Sequence, residues 1–338
     1  MLLHMDGFDE YVAISDLYQE YVSLYLGQFL TTGGRFGGGA VYITNNNQYL
    51  SWGSPAPMTE IWTGIAYKIL SSNIGNNAIV FAIGSVSSLE ASVWYDPIGG
   101  NWTCWRGQQN TTLGSGFYPI TLNTYHWVEL HYKMSTTVGI MEVWVDGVRV
   151  VNLTGINSTQ NSSTMFNVAT IGSTYYSGVG YYDDWYVLDT TGTYNNTRLG
   201  DSRIETLRPQ SDAGPNDGVP STAGPHYKMV DELQWSSSNN IVLGSTVGNA
   251  EVFGMTSLTT TPTNIHAVRV LAVAEKTDAG VLLANAIVIS SNVEADGNST
   301  TLTTTFNHVT NIFETDPNTG VPWAYTAVNA MDCGIKIP

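Results

Sequence analysis

Apolar and polar residues alternate along much of the chain, most regularly between Tyr125 and Val151. Every second residue is apolar from Val128 to Met134, and again from Met141 to Val145. Since successive side chains of a strand point to opposite faces, this spacing predicts two strands, each with one buried face. Asp146-Gly147 follows and favours the tight turn of a β-hairpin, so Val148–Leu153 is predicted to return as a third strand.

Short segments rich in Val, Ile, Thr and aromatic residues, separated by Gly, Asn and Pro, continue the pattern through residues 1–198. No segment there shows helical periodicity over three turns, although 15–26 is ambiguous. The pattern predicts an all-β first domain. Its further strands are predicted at Ala40–Ile43, Glu60–Ile69, Ala78–Ile83, Leu89–Tyr95, Asn101–Arg106, Ala169–Gly172 and Tyr181–Leu188.

The rest of the chain predicts a second, smaller β-rich domain. Residues 199–225 are rich in turn formers and predict a linker or extended loop, although 203–208 could be a strand. In residues 226–338, Ile265–Glu275 and Val281–Ser290 predict adjacent strands joined by a turn at 276–280. Thr300–Phe306 predicts another strand, and Pro322–Asp332 a short helix capped by Gly334.

Composition narrows the range of partners. The 338 residues carry a formal net charge of −16, and only 12% of them are charged. The 12 Lys and Arg residues are scattered, which argues against binding to nucleic acid or to anionic membranes. Cys104 and Cys333 are far apart in the sequence and are predicted to be buried free thiols. The opening residues lack the pattern of a signal peptide.

The acidic residues do not show the spacing that glycoside hydrolysis requires. Retaining and inverting enzymes hold two carboxylates roughly 5 to 9.5 Å apart. Glu142 and Asp146 are four residues apart on a strand, which is roughly 13 Å. Asp183 and Asp184 are adjacent, so on a regular strand they would face opposite sides. Glu129 and His131 share a face that we expect to be a polar row exposed to solvent. We therefore predict no catalytic residues and no enzyme activity.

Sugar binding has one candidate segment, Trp94–Arg106, which places three tryptophans around a Gly-Gly turn. Exposed aromatic faces would stack on sugar rings, but the same residues could equally be core tryptophans and one at the end of a hairpin. The candidate glycan contacts are Trp94, Tyr95, Trp102, Trp105 and Arg106.

Asp183 and Asp184 are also weak candidates for calcium ligands, of the kind that acidic loops provide in some laminin-G domains. Calcium takes six to eight oxygens, and the sequence contains no dense acidic loop. We therefore expect no cofactor and no other metal.

The order of the central segments resembles a concanavalin A-like, or laminin-G-like, jelly roll, in which a Trp-Val-Glu-Leu strand precedes one that ends in Trp-Val-Asp-Gly. A longer ordered set of strings resembles structural proteins of tailed bacteriophages that carry such a domain followed by a small β domain. Its members include Asp6–Asp9, Gly34–Gly38, Tyr182–Gly192, Leu199–Arg203, Val230–Glu232, Ala274–Gly280, Asp316–Trp323, Val328–Ala330 and Gly334–Lys336.

The resemblance implies a component of the virion, exposed on tail or head, made in the host cytoplasm and bound to other virion proteins. It also implies a homo-oligomer, with a trimer preferred, in which we expect the C-terminal domain to anchor on the particle. The lectin-like domain would contact host-surface polysaccharide. Two alternatives stay open: a capsid decoration protein without a ligand, and a divergent glycoside hydrolase.

Overall fold

A computed structural model of the chain describes residues 1–44, 47–71, 77–85, 88–160, 162–172, 180–232 and 239–338. The chain divides into two compact units, Met1–Ile204 and Glu205–Pro338. Regular structure in the described residues is almost entirely antiparallel β-sheet arranged in sandwiches, so the predicted fold class is confirmed. No helix among these residues is long and apolar enough to cross a lipid bilayer.

The first unit contains fifteen strands and a 3-10 helix, Ile14–Gln19, among its described residues. The strands are β1 (Leu2–Asp6), β2 (Ser23–Tyr25), β3 (Gln28–Leu30), β4 (Ala40–Ile43), β5 (Tyr49–Met58), β6 (Glu60–Lys68), β7 (Ala78–Ser85), β8 (Ser88–Asp96), β9 (Asn101–Arg106), β10 (Thr111–Phe117), β11 (His126–Lys133), β12 (Gly139–Val145), β13 (Val148–Ile156), β14 (Phe166–Gly172) and β15 (Gly180–Asp189).

These strands form two antiparallel sheets. Over the described ranges, sheet A has the order β13-β12-β11-β6-β15-β4-β3, with β1 also paired to β15. Sheet B has the order β10-β9-β8-β7-β14-β5-β2. Residues from both sheets form one continuous buried cluster that includes Trp102, Tyr132 and Tyr182. This core between the two sheets makes the first unit a β-sandwich.

The central hairpin forms as predicted. Val128, Leu130 and Tyr132 on β11 lie opposite Val145, Val143 and Met141 on β12, and all six are fully buried. Burial of each such side chain contributes roughly 1.5 to 3 kcal/mol, so this alternating row stabilises the register of the two strands. Asp146 and Gly147 have φ of 49° and 79°, the left-handed backbone that a tight hairpin turn requires.

The second unit contains ten strands, a 3-10 helix at His226–Met229 and a short helix α1 (Tyr325–Val328) within the described part. The strands are β16 (Pro209–Asn216), β17 (Val219–Pro220), β18 (Ile241–Val242), β19 (Ala250–Met255), β20 (Val268–Ala274), β21 (Leu283–Ser290), β22 (Val293–Asp296), β23 (Thr300–Thr301), β24 (Asn307–Phe313) and β25 (Asp332–Lys336). The largest sheet has the order β16-β19-β25-β21-β22, with β23 paired to β21. Its core includes Val288, Val309, Trp323 and Cys333.

The predicted pairing of β20 with β21 is wrong. β20 pairs along its whole length with β24, and β21 pairs with β22, β23 and β25. Ser291 and Asn292 have φ of 50° and 66° and close the tight hairpin between β21 and β22. Ser-Asn is a weaker turn signal than Asn-Gly, so the sequence pattern did not reveal this hairpin.

The strand predicted at Thr300–Phe306 is displaced along the chain. Only Thr300–Thr301 is a strand there, and the longer strand is β24. β24 buries Val309 and Phe313 on one face, but Asn311 lies between them on that face and Ile312 lies on the other, so its apolar residues do not alternate regularly.

The segment 199–225, expected to be a linker or extended loop, spans the boundary between the two units, which falls after Ile204. Part of it is strand β16, paired with β19 at the edge of the large sheet. An edge strand tolerates Pro209 and Pro215 because no further strand needs their missing N–H groups. Residues 203–208 contain no strand.

Gly334, expected to cap a helix, instead lies within β25. A Cβ atom at this position would come within 2.0 Å of the Glu251 carbonyl oxygen on β19. The close approach of the two strands therefore accounts for the glycine.

Both cysteines are buried free thiols, as predicted. Cys104 belongs to the core of the first unit and Cys333 to the core of the second. Burial raises the pKa of the Cys333 thiol to about 12, so it remains protonated and unreactive near neutral pH.

Candidate functional site

The aromatic segment Trp94–Arg106 forms the hairpin of β8 and β9, and its side chains divide between the two faces of sheet B. Tyr95 and Trp102 lie in the core of the sandwich, with exposed fractions of 1% and 0% and ring centroids 4.7 Å apart. The Trp102 indole N–H donates a hydrogen bond to the Tyr118 carbonyl. These two of the five candidate glycan contacts therefore serve the core.

The other two aromatic candidates lie on the outer face of sheet B. Trp94 packs in a small apolar cluster with Ile79 and Ala82, and Trp105 lies against that cluster with its ring centroid 6.1 Å from that of Trp94. Trp94 exposes only 3% of its surface, whereas Trp105 is half-buried. Arg106 is also half-buried and donates to the Thr111 hydroxyl. Trp105 is therefore the one aromatic candidate of this hairpin with a usable exposed surface.

The expectation that Glu129 faces solvent is wrong. Its side chain is fully buried and accepts hydrogen bonds of 2.8 Å from the Tyr186 hydroxyl, the Arg198 guanidinium and the Gly200 N–H. The chain that follows β15 folds back over the outer face of sheet A and covers this position. Alternation within a strand shows which face is polar, but it does not show what lies on top of that face.

His131 is buried on the same outer face by an ion-pair network. Its two ring nitrogens lie 2.9 Å from a Glu60 oxygen and 3.0 Å from a Glu142 oxygen, and its ring stacks on Trp62 at 4.2 Å. Lys133 and Arg149 neutralise Glu60 and Glu142 from the other side, at 3.1 and 3.0 Å.

This network affects how Glu60 ionises. Partial burial by itself raises the pKa of Glu60, but hydrogen bonds from His131 and Lys133 outweigh that effect and lower it. A carboxyl group with a lowered pKa is ionised at neutral pH and cannot supply a proton as a general acid.

Asp183 and Asp184 do not point to opposite faces as a regular strand would require. The pairing of β15 with β6 is irregular between Asp183 and Tyr186, and Asp184 has a φ of 52°. This β-bulge turns both carboxyl groups toward one cavity of about 30 Å³, which Asp9 and Arg203 also line.

Backbone N–H groups hold three of the four oxygens of this pair. Asp183 accepts bonds from the N–H groups of Arg35 and Asp184, at 2.6 and 2.8 Å, and Asp184 accepts one from Ile204 at 2.7 Å. The second oxygen of Asp184 has no hydrogen-bond partner and lies 3.8 Å from the Arg35 guanidinium. Burial raises the pKa of both groups, and the charge of Asp184 raises the pKa of Asp183 further.

These residues do not complete a calcium site. Calcium takes six to eight oxygen ligands. Nowhere in the described ranges do three or more His, Cys, Asp or Glu side chains form a group suited to a metal ion. The guanidinium of Arg35 and the side chain of Arg203 supply positive charge at this place, where a metal ion would otherwise supply it.

A larger cleft of about 420 Å³ opens in the same unit, where sheet A meets the glycine-rich loop that follows β3. The Lys68 ammonium lies over the rings of Tyr125 and Tyr181, 4.3 and 4.2 Å from their centroids. The Tyr181 ring also stacks on Tyr42 at 4.5 Å. The lining residues are Leu30, Thr32, Gly33, Gly34, Lys68, Leu70, Asn123 and Tyr181.

The sequence alone did not predict this cleft, because its residues come from four separate segments of the chain. Lys68 ends β6 and Tyr181 is the second residue of β15, and the two are directly opposed on these paired strands. A tyrosine at the start of one predicted strand and a lysine at the end of another were the available signals. Which strands are neighbours was not available from the sequence.

No protein-family model matches this sequence, and no curated protein matches it. Among solved structures, the chain is similar to alginate lyase Aly36B, with 14% identity, a TM-score of 0.36, and 55% of this chain and 96% of the lyase covered. It is also similar to carbohydrate-binding module CBM66 from Bacillus subtilis, with 10% identity, a TM-score of 0.33, and 48% and 90% covered. Domain 4 of the arabinanase AbnA from Geobacillus stearothermophilus gives 15% identity, a TM-score of 0.34, and 48% and 75% covered. Similarity this low does not bear on what the chain binds.

Removal of the arginine that pairs with Glu129 should destabilise the first unit. We expect Arg198→Gln to lower the free energy of unfolding by about 3 kcal/mol, because a buried carboxylate loses its charged partner. Arg149→Gln is the matched control, since it removes an exposed partner of Glu142 and should cost less than about 1 kcal/mol. Urea unfolding followed by tryptophan fluorescence measures both values, and equal losses would contradict this account of Glu129.

The buried aspartate pair should make stability depend on pH. The unfolded chain releases these protons near pH 4, whereas the folded chain retains them to higher pH. The folded state therefore binds more protons in this interval, and stability falls as the pH rises above about 4.

Asp184→Asn should flatten this dependence, because an amide does not ionise. Thermal unfolding between pH 5 and pH 7 measures the slope. Asp189→Asn, at a more exposed position on the same strand, should leave the slope as it is in the unmodified chain. A slope that is unchanged by Asp184→Asn would show that this pair does not govern it.

Proposed function

We propose that this chain is a non-enzymatic structural protein of a bacteriophage virion and that its first unit binds glycans on the host surface. The observation that carries the glycan-binding part is the open cleft beside Tyr181. Its volume of about 420 Å³ is within the range of small-ligand sites, roughly 300 to 1,000 Å³. It combines a tyrosine ring and two leucines with several polar groups, and its lining is more polar than that of most small-molecule sites.

The cleft is organised before any ligand arrives. The Tyr125 hydroxyl donates to the Gly33 carbonyl at 2.8 Å, which joins the glycine-rich loop to sheet A. Tyr181 is held between Tyr42 and the Lys68 ammonium. A ligand that uses a site whose side chains are already ordered loses less free energy on binding.

The arrangement of carboxylates supports a role without catalysis. Glu60 and Glu142 each contact one cation, Lys133 or Arg149, and share the imidazole of His131, so neither is placed as an acid or a nucleophile. Asp183 and Asp184 face a cavity of about 30 Å³, which is the size of one water molecule and not of a sugar ring. The alternative of a divergent glycoside hydrolase would require substrate access to this pair.

The virion part of the proposal rests on the resemblance of an ordered set of strings to phage structural proteins. A low content of charged residues suits protein interfaces, where charges are depleted. On the second unit, Val219 and Val242 are directly opposed on the β17–β18 ribbon and expose 68% and 61% of their surface. This exposed apolar pair is suited to burial by another subunit. Such burial agrees with the proposal of a homotrimer that anchors on the particle through its second unit. A capsid decoration protein would share these features and lack the glycan ligand.

Two aromatic residues, Tyr181 in the cleft and Trp105 on the β8–β9 hairpin, are candidates for the glycan contact. A variant at each position shows which of them binds the glycan. Tyr181→Ala should weaken binding about tenfold, because it removes one wall of the cleft and the ring that holds the Lys68 ammonium in place. Trp105→Ala, on the outer face of sheet B, should leave binding unchanged. A glycan array followed by calorimetry measures both variants. The opposite result would place the site on the β8–β9 hairpin.

The same preparations should release no reducing sugar from the glycans that they bind. Release that is lost in Asp184→Asn would favour the hydrolase alternative.

The chain should be present in purified virions, in several copies arranged as a homo-oligomer. Mass spectrometry of the particles and the solution mass of the purified protein test this prediction. A monodisperse monomer that is absent from virions would contradict the structural role without affecting the glycan-binding result.

A further inference from the structure

We propose that the cleft selects a glycan that carries carboxylate groups, and that the Lys68 ammonium binds one of these carboxylates. The inference rests on the proposed glycan binding, because it names the class of sugar that the same cleft accepts. Its basis is the set of hydrogen-bond donors that the cleft presents.

Lys68 differs from the neighbouring cations in its partners. Elsewhere in the first unit, Arg35 pairs with Asp201, Lys133 with Glu60, Arg149 with Glu142 and Arg198 with Glu129. Within the described residues, Lys68 has no carboxylate oxygen within 4.0 Å and is held instead by the two tyrosine rings. Aromatic rings hold an ammonium group in place without neutralising its charge.

Burial between the rings has a second effect on Lys68. Partial desolvation lowers the pKa of its ammonium, although the charge of Asp183 opposes this change. An ammonium group that has already lost part of its hydration shell has a smaller desolvation cost when it binds a carboxylate. The two rings therefore prepare Lys68 for an anionic partner.

Asn123 adds a second donor to the cleft. Its backbone N–H donates to the Ile69 carbonyl at 2.8 Å, and its side-chain oxygen accepts the Ser71 N–H at 3.1 Å. The bond from Ser71 orients the side chain, and the part of the chain that the structure describes offers no acceptor to its amide nitrogen. The amide therefore remains available to an oxygen of the ligand.

The lining as a whole is complementary to an anion. It contains the Lys68 ammonium, the Asn123 amide and the Thr32 hydroxyl, and it includes no Asp or Glu side chain among the described residues. Leu30, Leu70 and the edge of the Tyr181 ring supply apolar surface for the carbon atoms of a sugar. Charge-assisted hydrogen bonds to carboxylate are the stronger ones in such a site.

The test compares carboxylated sugars with their neutral forms. Calorimetry measures binding of tetragalacturonate, tetramannuronate and a sialic acid tetramer, each beside its carboxyl-reduced neutral counterpart. We expect at least one carboxylated sugar to bind about tenfold more tightly than its neutral form. Lys68→Gln should abolish that difference, so that the variant binds the carboxylated sugar and its neutral form with equal affinity. Lys228→Gln, an exposed lysine of the second unit, is the matched control and should retain the difference.

The outcomes separate this inference from the proposed function. If neutral glycans bind and no carboxylated form binds more tightly, or if the preference survives Lys68→Gln, the inference is overturned and glycan binding stands. If no sugar binds, neutral or carboxylated, the proposed function itself fails. An unchanged melting temperature of Lys68→Gln shows that any loss of binding is not a loss of folding.

Discussion

Buried carboxylates that accept backbone N–H groups fasten the loops of the first unit onto its sheet. Glu129 holds Gly200, Asp184 holds Ile204, and Asp183 holds Arg35. Each carboxylate has few exposed atoms, so each needs these donors to offset its desolvation. The segment after β15 and the glycine-rich loop after β3 are thereby fixed on the outer face of sheet A, and the cleft takes its shape from the second of these loops.

The fold was largely predictable because its main signal is local. Alternation predicted the β11–β12 hairpin and the strands around it, and Asp146-Gly147 predicted the turn, since burial on one face and positive φ are properties of a few neighbouring residues. Strand pairing in the second unit depends on distant partners. For that reason the prediction failed where β20 takes β24 and where β21 turns back at Ser291-Asn292.

The candidate site was much less predictable. Regular alternation assigned Asp183 and Asp184 to opposite faces, but one bulged residue brings both carboxyl groups into a single cavity. It also assigned Glu129 to solvent, because nothing in the strand shows that Arg198 and Gly200 cover it. The aromatic hairpin was visible in the sequence, yet its rings divide between the core and the outer face of the sheet. The cleft joins residues more than a hundred positions apart.

The lysine held between two tyrosines lies on an unusually acidic chain, with a net charge of −16. At long range this charge would repel the anionic polysaccharide proposed as ligand, while at short range Lys68 would attract one of its carboxylates. Salt at physiological concentration screens the repulsion beyond about 8 Å and weakens a partly buried contact much less. Dilute media would therefore slow the first encounter, and ionic media would favour it. Association with an anionic polysaccharide would therefore be faster at physiological ionic strength than at low ionic strength.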